Sequence, residues 1–338
     1  MSKIKKALER SRAIREKTQG ISDIALSERE QLELDIRKLL KDEHPELLGS
    51  MKKQIKLRYT KTRKIPTDPQ VLLDNQVFAL THELEITKQI EILRAQVLKR
   101  LKDMKANSLM VTSAHNKEGK TFISTNLAVS IAQHLDRTVM LVDADLRSRN
   151  YKHDNMSNVF FNSSGRAGLS DFLSGSAEIE DLLINPGIPR LTILPSGKAP
   201  PDSSALLDSP KMEELVSEMK FRYSDERILL FDCPSFLSNA DPLILSELVD
   251  AVLLVVENCR TEPKSLLRMI ELLKDKNIIG VVINKSGALC SPTASDENHQ
   301  KSNSVRLPDF LYDLGMPYLQ NSQLFSRFCK RRSNQSRP

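Results

Sequence analysis

The rhythm of apolar positions along this chain changes near residue 108. Upstream, apolar side chains recur three and four residues apart among many charges. Ile4, Ala7, Leu8 and Ile14 trace one short stripe, and the stretch Gln31 to Leu40 repeats the pattern at longer reach. Neither stripe offers enough apolar face to fold alone, so residues 1–74 are expected to form a polar, helical, partly disordered arm that docks on a partner or on the main domain. A longer helix is predicted from about Asn75 to Lys105. Val77, Leu80, Leu84, Ile90, Leu93, Val97, Leu98 and Leu101 sit at helical spacings there, and Pro66 and Pro69 mark its upstream boundary.

From Ser108 onward, short β-rich runs take over: Leu109–Thr112, Val139–Val142, Leu191–Leu194, Ile228–Phe231, Ala251–Val256 and Ile279–Ile283. Segments of helical period separate them. Apolar runs that do not alternate suit strands buried on both faces, which predicts a doubly wound α/β domain with a mostly parallel sheet over residues 75–286. Beyond Lys285, Ser, Asn, Gln and Pro dominate up to about Val305. Residues 287–338 are therefore expected to be a loose polar-basic tail.

Composition narrows the class. Of the 338 residues, 40% are hydrophobic, enough for a sizeable core, and 28% are charged. No run of about 18 apolar residues exists to span a bilayer, and the opening Met1 to Arg10 lacks the apolar stretch of a secretory signal. Cys233, Cys259, Cys290 and Cys329 are widely spaced with no CxxC pair, so neither a disulfide framework nor a zinc site is indicated. Together these features predict a soluble, cytoplasmic, reduced protein. The net charge of +6 is unevenly distributed. Lys52, Lys53, Lys56, Arg58, Lys61, Arg63 and Lys64 form one run without an acid, and Arg327, Lys330, Arg331, Arg332 and Arg337 form another. Such runs suit phospholipid headgroups, phosphate backbones or acidic proteins, and equally a solvated arm.

Chemistry concentrates where three strands end. The first strand runs into Ala114-His115-Asn116-Lys117-Glu118-Gly119-Lys120-Thr121, followed by Phe122 and a helical pattern. Strand, loop, Gly-Lys-Thr, helix is the context of a phosphate-binding P-loop, although Gly-Lys-Thr alone also begins ordinary helices. Amide groups at a helix N-terminus face phosphates, Lys120 adds a cation, and the Thr121 hydroxyl ligates Mg²⁺. The full pattern wants Gly where Ala114 stands. The second strand ends in Asp143-Ala-Asp145-Leu-Arg147 and a later one in Asp232-Cys-Pro. One strand-end Asp is often just a helix N-cap. Three, delivered to the crevice at the carboxyl ends of the strands after a P-loop, predict a Mg²⁺-nucleotide site.

These blocks carry a resemblance. Val111-Thr-Ser-Ala with Glu-Gly-Lys-Thr, then Arg137 through Arg147, then Ile228 through Pro234 resemble the Walker A, A′ and B motifs of the bacterial tyrosine kinases. The similarity covers roughly Leu80 to Ser286, including Gly168-Leu-Ser-Asp-Phe-Leu and Leu194-Pro-Ser-Gly-Lys-Ala-Pro-Pro. Asp-x-Asp-x-Arg is its most specific element. The first ten residues further resemble the cytoplasmic branch found in exopolysaccharide and exosortase gene clusters. The resemblance implies ATP and Mg²⁺ as cofactors, with residues 114–122 cradling the nucleotide. Lys120 and Thr121 would hold phosphate and metal, Asp145 and Asp232 would bind Mg²⁺, and Asp143 would act as base toward a tyrosine hydroxyl. It places Asn284 where relatives contact adenine; a turn residue at a strand end is the alternative. A membrane-bound polysaccharide co-polymerase would be the activating partner, with homo-oligomerisation and anionic membrane as further contacts.

The departures are informative. Lys117 stands where relatives usually have Gly, and His115 where partition and cell-division ATPases carry a signature lysine. Glu91 and Arg94 match the helix used for ring assembly, but Val97 replaces its second Arg. The tyrosine cluster that closes relatives is missing: of 5 tyrosines only Tyr312 and Tyr318 lie in the tail, as acceptors or as packing anchors. Three readings follow. The first is a tyrosine (auto)kinase regulating polysaccharide chain length or export. The second is a kinase-inactive, nucleotide-dependent assembly switch. The third, with nucleic acid the least expected partner, is a partition-type ATPase on DNA.

Overall fold

The predicted strands all form, and their order in the sheet decides what the protein can bind. In this computed structural model, residues 62–81, 85–134, 137–147, 156–161, 166–222, 227–285 and 318–320 are described. The strands are β1 Arg63–Lys64, β2 Ser108–Ser113, β3 Thr138–Asp143, β4 Ile184–Asn185, β5 Leu191–Leu194, β6 Arg227–Asp232, β7 Ala251–Glu257, β8 Ile278–Asn284 and β9 Tyr318–Gln320. The helices are α1 Pro69–Asp74, α2 Glu85–Asp103, α3 Lys120–Ala132, α4 Met156–Phe161, α5 Leu169–Leu173, α6 Ile179–Leu182, α7 Ser203–Leu207, α8 Pro210–Arg222, α9 Asp241–Leu248 and α10 Pro263–Leu272.

The strands lie in one sheet in the order β1-β4-β5-β3-β6-β2-β7-β8-β9. Every pairing is parallel except β4 with β5. Parallel strands need helical crossovers, which cover both faces and explain the continuous apolar runs. Successive side chains alternate between those faces. Leu109 and Val111, Val139 and Leu141, and Ile228 and Leu230 join the core under α2 and α3. Met110, Met140, Leu229 and Phe231, equally buried, point the other way. Leu127, at the centre of α3, is 0% exposed within the first core. Leu127→Ala should lower unfolding stability by about 2–5 kcal/mol, read as a shift of the urea midpoint with unchanged slope.

The long helix expected from Asn75 begins ten residues later. Gln76 takes a left-handed backbone (φ 65°), and Phe78–Leu80 form a single 3₁₀ turn ahead of α2. The reason is Asn126 of α3. Its buried carboxamide accepts the amides of Phe78 (2.8 Å) and Ala79 (3.1 Å) and donates to the Gln76 carbonyl (2.9 Å). Those groups would otherwise serve a continuous helix. The folded unit also begins upstream of Asn75: β1 joins the sheet edge and Leu72 of α1 is buried. Within the stretch expected to be a loose tail, β9 pairs in parallel with β8, Tyr318 opposite Val281. The expectations for residues 1–61, for Tyr312 and for the rest of the tail lie outside the described residues.

Candidate nucleotide-binding site

Strand order β3-β6-β2 sets three carboxyl-terminal ends side by side. Asp143 stands in register with Asp232, and Asp232 with Val111 one strand further on. The loop from β2 to α3 therefore opens beside both strand-end carboxylates, as the doubly wound topology predicts for a ligand crevice. Within the first turn of α3, Ile123 is the first residue whose amide reaches its i−4 carbonyl, Gly119 at 2.9 Å. The amides of Lys120, Thr121 and Phe122 are the first-turn donors that a helix leaves for a ligand, here an anion.

The loop is braced from beneath. Gly119 has φ 98°, and a Cβ there would collide with Asn284 Nδ2. Asn284, fully buried at the end of β8, donates to the Glu118 carbonyl (2.9 Å) and accepts the Lys285 amide (2.9 Å). Both ends of its carboxamide thus hold loop and strand together, a bracing role that the resemblance, with its adenine contact, does not suggest. Lys285 Nζ reaches the Lys117 carbonyl at 2.8 Å and pairs with Glu257 at 3.0 Å. Lys117, which stands where relatives usually have Gly, takes φ 69°, so the position does demand a left-handed backbone.

Several loop side chains turn away from the phosphate cradle. Glu118 is fully buried; it accepts the His115 amide (2.8 Å) and the Thr261 hydroxyl. Burial pushes its carboxyl above the ordinary value, while those bonds and the nearby His115 draw it down. His115 Nε2 lies 3.2 Å from Ser265 Oγ, and Asn116 accepts from Ser235 (2.6 Å). Ala114 is fully buried and accepts the Leu237 amide (3.2 Å), so the missing glycine is accommodated. Phe122 packs edge-on against Phe78, with ring centroids 6.3 Å apart. Thr261, Ser235 and Ser265 carry no motif signal; only the fold brings them to the loop.

The charged floor fits a divalent cation. Lys120 Nζ lies 3.8 Å from Asp145 Oδ2, and the Asp145 amide donates to Asp143 Oδ1 at 3.3 Å. Asp143 and Asp232 are each only 2% exposed. Asp232 Oδ1 is buried without a hydrogen-bond partner, an orphaned anionic oxygen beside Lys120 and Thr121. Such an atom is costly unless a cation meets it. Among the described residues no group of three or more His, Cys, Asp or Glu gathers as a protein-only metal cage. Mg²⁺ keeps waters and phosphate oxygens and takes few protein ligands. Thr121, Asp145 and Asp232 are the residues that would hold it.

Desolvation raises the Asp232 carboxyl to about 6, against the pull of Lys120 and hydrogen bonds from Thr121 and Ser124. A raised folded-state pKa means that Asp232 stabilises the metal-free protein fully below its unfolded value, and that this contribution is lost as pH rises through about 6. Metal binding has the opposite sign, because it needs the carboxylate. Mg²⁺-dependent nucleotide affinity should therefore fall up to about tenfold per pH unit below 6. Titration at pH 5, 6 and 7 checks this, and Asp232→Asn should flatten the profile.

Fold and loop define a P-loop nucleotide-binding protein. The profile of the CobQ/CobB/MinD/ParA nucleotide binding domain matches residues 109–321. The tyrosine-protein kinase CpsD of Streptococcus agalactiae serotype III is 31% identical over 181 residues, which are 52% of this chain and 73% of CpsD. The tyrosine-protein kinase Ptk of Acinetobacter johnsonii is 31% identical over 166 residues, 49% of this chain but 21% of Ptk, so the chain spans only about a fifth of that relative. The kinase domain of the Escherichia coli tyrosine kinase Etk superimposes with TM-score 0.56 at 25% identity, covering 71% of this chain and 93% of that domain. The chain belongs to the CobQ/CobB/MinD/ParA nucleotide-binding family, alongside the bacterial tyrosine-protein kinases.

Proposed function

We propose that this protein is an ATP- and Mg²⁺-dependent protein-tyrosine kinase that regulates the synthesis or export of an extracellular polysaccharide. The observation that carries this reading is the junction of the Gly119-Lys120-Thr121 loop with the Asp143–Asp145 pair and the orphaned Asp232 oxygen. Bound Mg²⁺-ATP would supply the transferable γ-phosphoryl group and a charge-neutralising cation. First-turn amides of α3 and Lys120 hold the phosphates, and Lys120 offsets charge on the leaving group. Asp143 accepts the proton of a tyrosine hydroxyl as that oxygen bonds to the γ-phosphorus and the bond to ADP breaks.

The chain would work at the cytoplasmic face of the membrane, with a membrane-bound polysaccharide co-polymerase as activator and anionic lipid or other copies of the chain as further contacts. The basic runs at Lys52–Lys64 and Arg327–Arg337 support lipid proximity. Among the described residues no helix is long and apolar enough to cross a membrane. The kinase domain would take in β1 and α1 upstream of Asn75 as well as residues 75–286, with β9 added to the sheet edge.

Incubation with Mg²⁺-ATP, with and without a candidate activator fragment, followed by phosphotyrosine detection and peptide mapping tests the reading. Phosphotyrosine in the parent and none in Lys120→Met is expected, and mapping then decides between Tyr312, Tyr318 and an external acceptor. ATP turnover without phosphotyrosine, activator present, would instead favour a nucleotide-dependent assembly switch, the reading that the sparse tail tyrosines motivate.

A further inference from the structure

Arg147 closes the Asp-x-Asp-x-Arg segment, yet nothing in the nucleotide site employs it. Its guanidinium turns instead to Asp241, the first residue of α9. Nε lies 2.9 Å from Asp241 Oδ2 and Nη2 lies 3.2 Å from Oδ1, a forked pair. Two hydroxyls at the start of α7 complete the ring. Ser203 accepts from Arg147 Nε and donates to Asp241 Oδ2, both at 2.7 Å, and Ser204 accepts from Nη2 at 2.8 Å and donates to Oδ1. Asp241 is fully buried, with four donors on its two oxygens, while about half of the Arg147 side chain is exposed. Burial pushes the Asp241 carboxyl up, but the bonds from Arg147, Ser204 and Ser203 outweigh it and hold the group below its ordinary value, as a permanent anion.

The consequence lies a few residues back along the chain. The segment that leaves β3 is pinned at two points. At one, the Ala144 amide donates to the Asp232 carbonyl at 2.9 Å. At the other, the Arg147 fork is locked into Asp241. Asp145 hangs between these anchors, 3.8 Å from Lys120. With both ends fixed, the backbone that carries its carboxylate is held on either side; with the Arg147 anchor released, the downstream side of that backbone loses its grip.

We propose that Asp241 is a positioning residue: by gripping Arg147 it holds Asp145 toward the Lys120 side of the crevice, and so sets how strongly Mg²⁺ supports nucleotide binding. The inference rests on the reading that Asp145 and Asp232 take the metal. Outer-shell partners that orient a ligand typically cost about 10–100-fold in metal affinity when removed. Asp241 is bonded to Arg147, Ser203 and Ser204, and it acts on Asp145 through Arg147.

The test uses the full chain and a fluorescent ATP analogue, titrated with and without Mg²⁺, beside thermal unfolding. In Asp241→Asn, affinity without Mg²⁺ should stay within about threefold of the parent, because the loop and Lys120 are untouched, while the gain on adding Mg²⁺ falls by about tenfold or more. Because that substitution also disturbs a buried hydrogen-bonded cluster and can lower stability, Arg147→Lys provides a second route. It keeps the cation at a half-exposed position but loses the fork, and should lose part of the Mg²⁺ gain. A purely structural role would lower the melting temperature and leave the Mg²⁺ gain of the folded protein unchanged. Either variant folded and with the parent's Mg²⁺ gain would overturn the proposal. A parent indifferent to Mg²⁺ would overturn the metal reading and this inference with it, a result distinguishable because it needs no variant.

Discussion

Replacing Lys120 by Met should lower nucleotide-dependent turnover by about 10²–10³-fold, the usual cost of removing one preorganised charge donor. Met keeps an unbranched side chain of nearly the same length and removes the charge and its N–H donors. Lys120 is 8% exposed, so its ammonium acts in a setting where water screens it little. The substitution also strips the cation paired with Asp145 and the strongest charge holding the Asp232 carboxyl down. Two consequences should appear together. The phosphate loses its mobile cation, and the Asp232 carboxyl climbs further above 6, so the Mg²⁺ requirement moves to higher pH. Turnover measured across pH separates them: lost phosphate contact lowers the whole profile, and the raised carboxyl shifts its acid limb. A variant with parental turnover at every pH would remove Lys120 from the chemistry.

Gly119→Ala is the second large effect, and its cause is backbone geometry rather than charge. At φ 98° an L side chain costs about 1–2 kcal/mol of strain. The added methyl would also overlap Asn284 Nδ2, closer than any real contact tolerates. Asn284 is buried and bonded at both ends, so it cannot swing aside without releasing the Glu118 carbonyl. The loop must therefore shift, and a loop aimed at phosphates loses its aim. Nucleotide affinity should fall by about 100-fold, equivalent to roughly 3 kcal/mol of strain and lost contacts. Gly119→Ala/Asn284→Ala should recover part of it, since the clash is gone and the strain remains. Gly175→Ala is the control. That glycine also has positive φ, 81°, but a Cβ there meets nothing within 4 Å. It should cost stability alone, with affinity unchanged.

Much of this molecule was legible from residue order. The six apolar runs became β2, β3, β5, β6, β7 and β8, because a strand buried on both faces leaves a continuous apolar signal. The strand–loop–Gly-Lys-Thr–helix pattern became β2, the loop and α3, since local sterics dictate where a glycine must precede a helix. The single long helix expected from Asn75 failed for a tertiary reason: Asn126 captures the backbone groups that would have extended it, and no local spacing announces that. In the sequence Asn284 reads as an adenine contact or as a strand-end turn residue; its grip on the underside of the loop depends on β8 lying beside β7 and beneath Glu118.

The sequence alone determined the class of chemistry: a helix start after a buried strand, a cation, a hydroxyl and three strand-end carboxylates. Those are local facts, written in short runs of residues. Only the tertiary structure decided which groups gather at the mouth of the loop and which hold the framework. Glu118, one residue from Gly119, turned inward to Thr261, 143 residues further along the chain. Asp241, with no motif of its own, met Arg147 across 94. Such pairings arise because a parallel sheet brings distant strand ends to one edge, where a buried charge must find a partner wherever the fold supplies one.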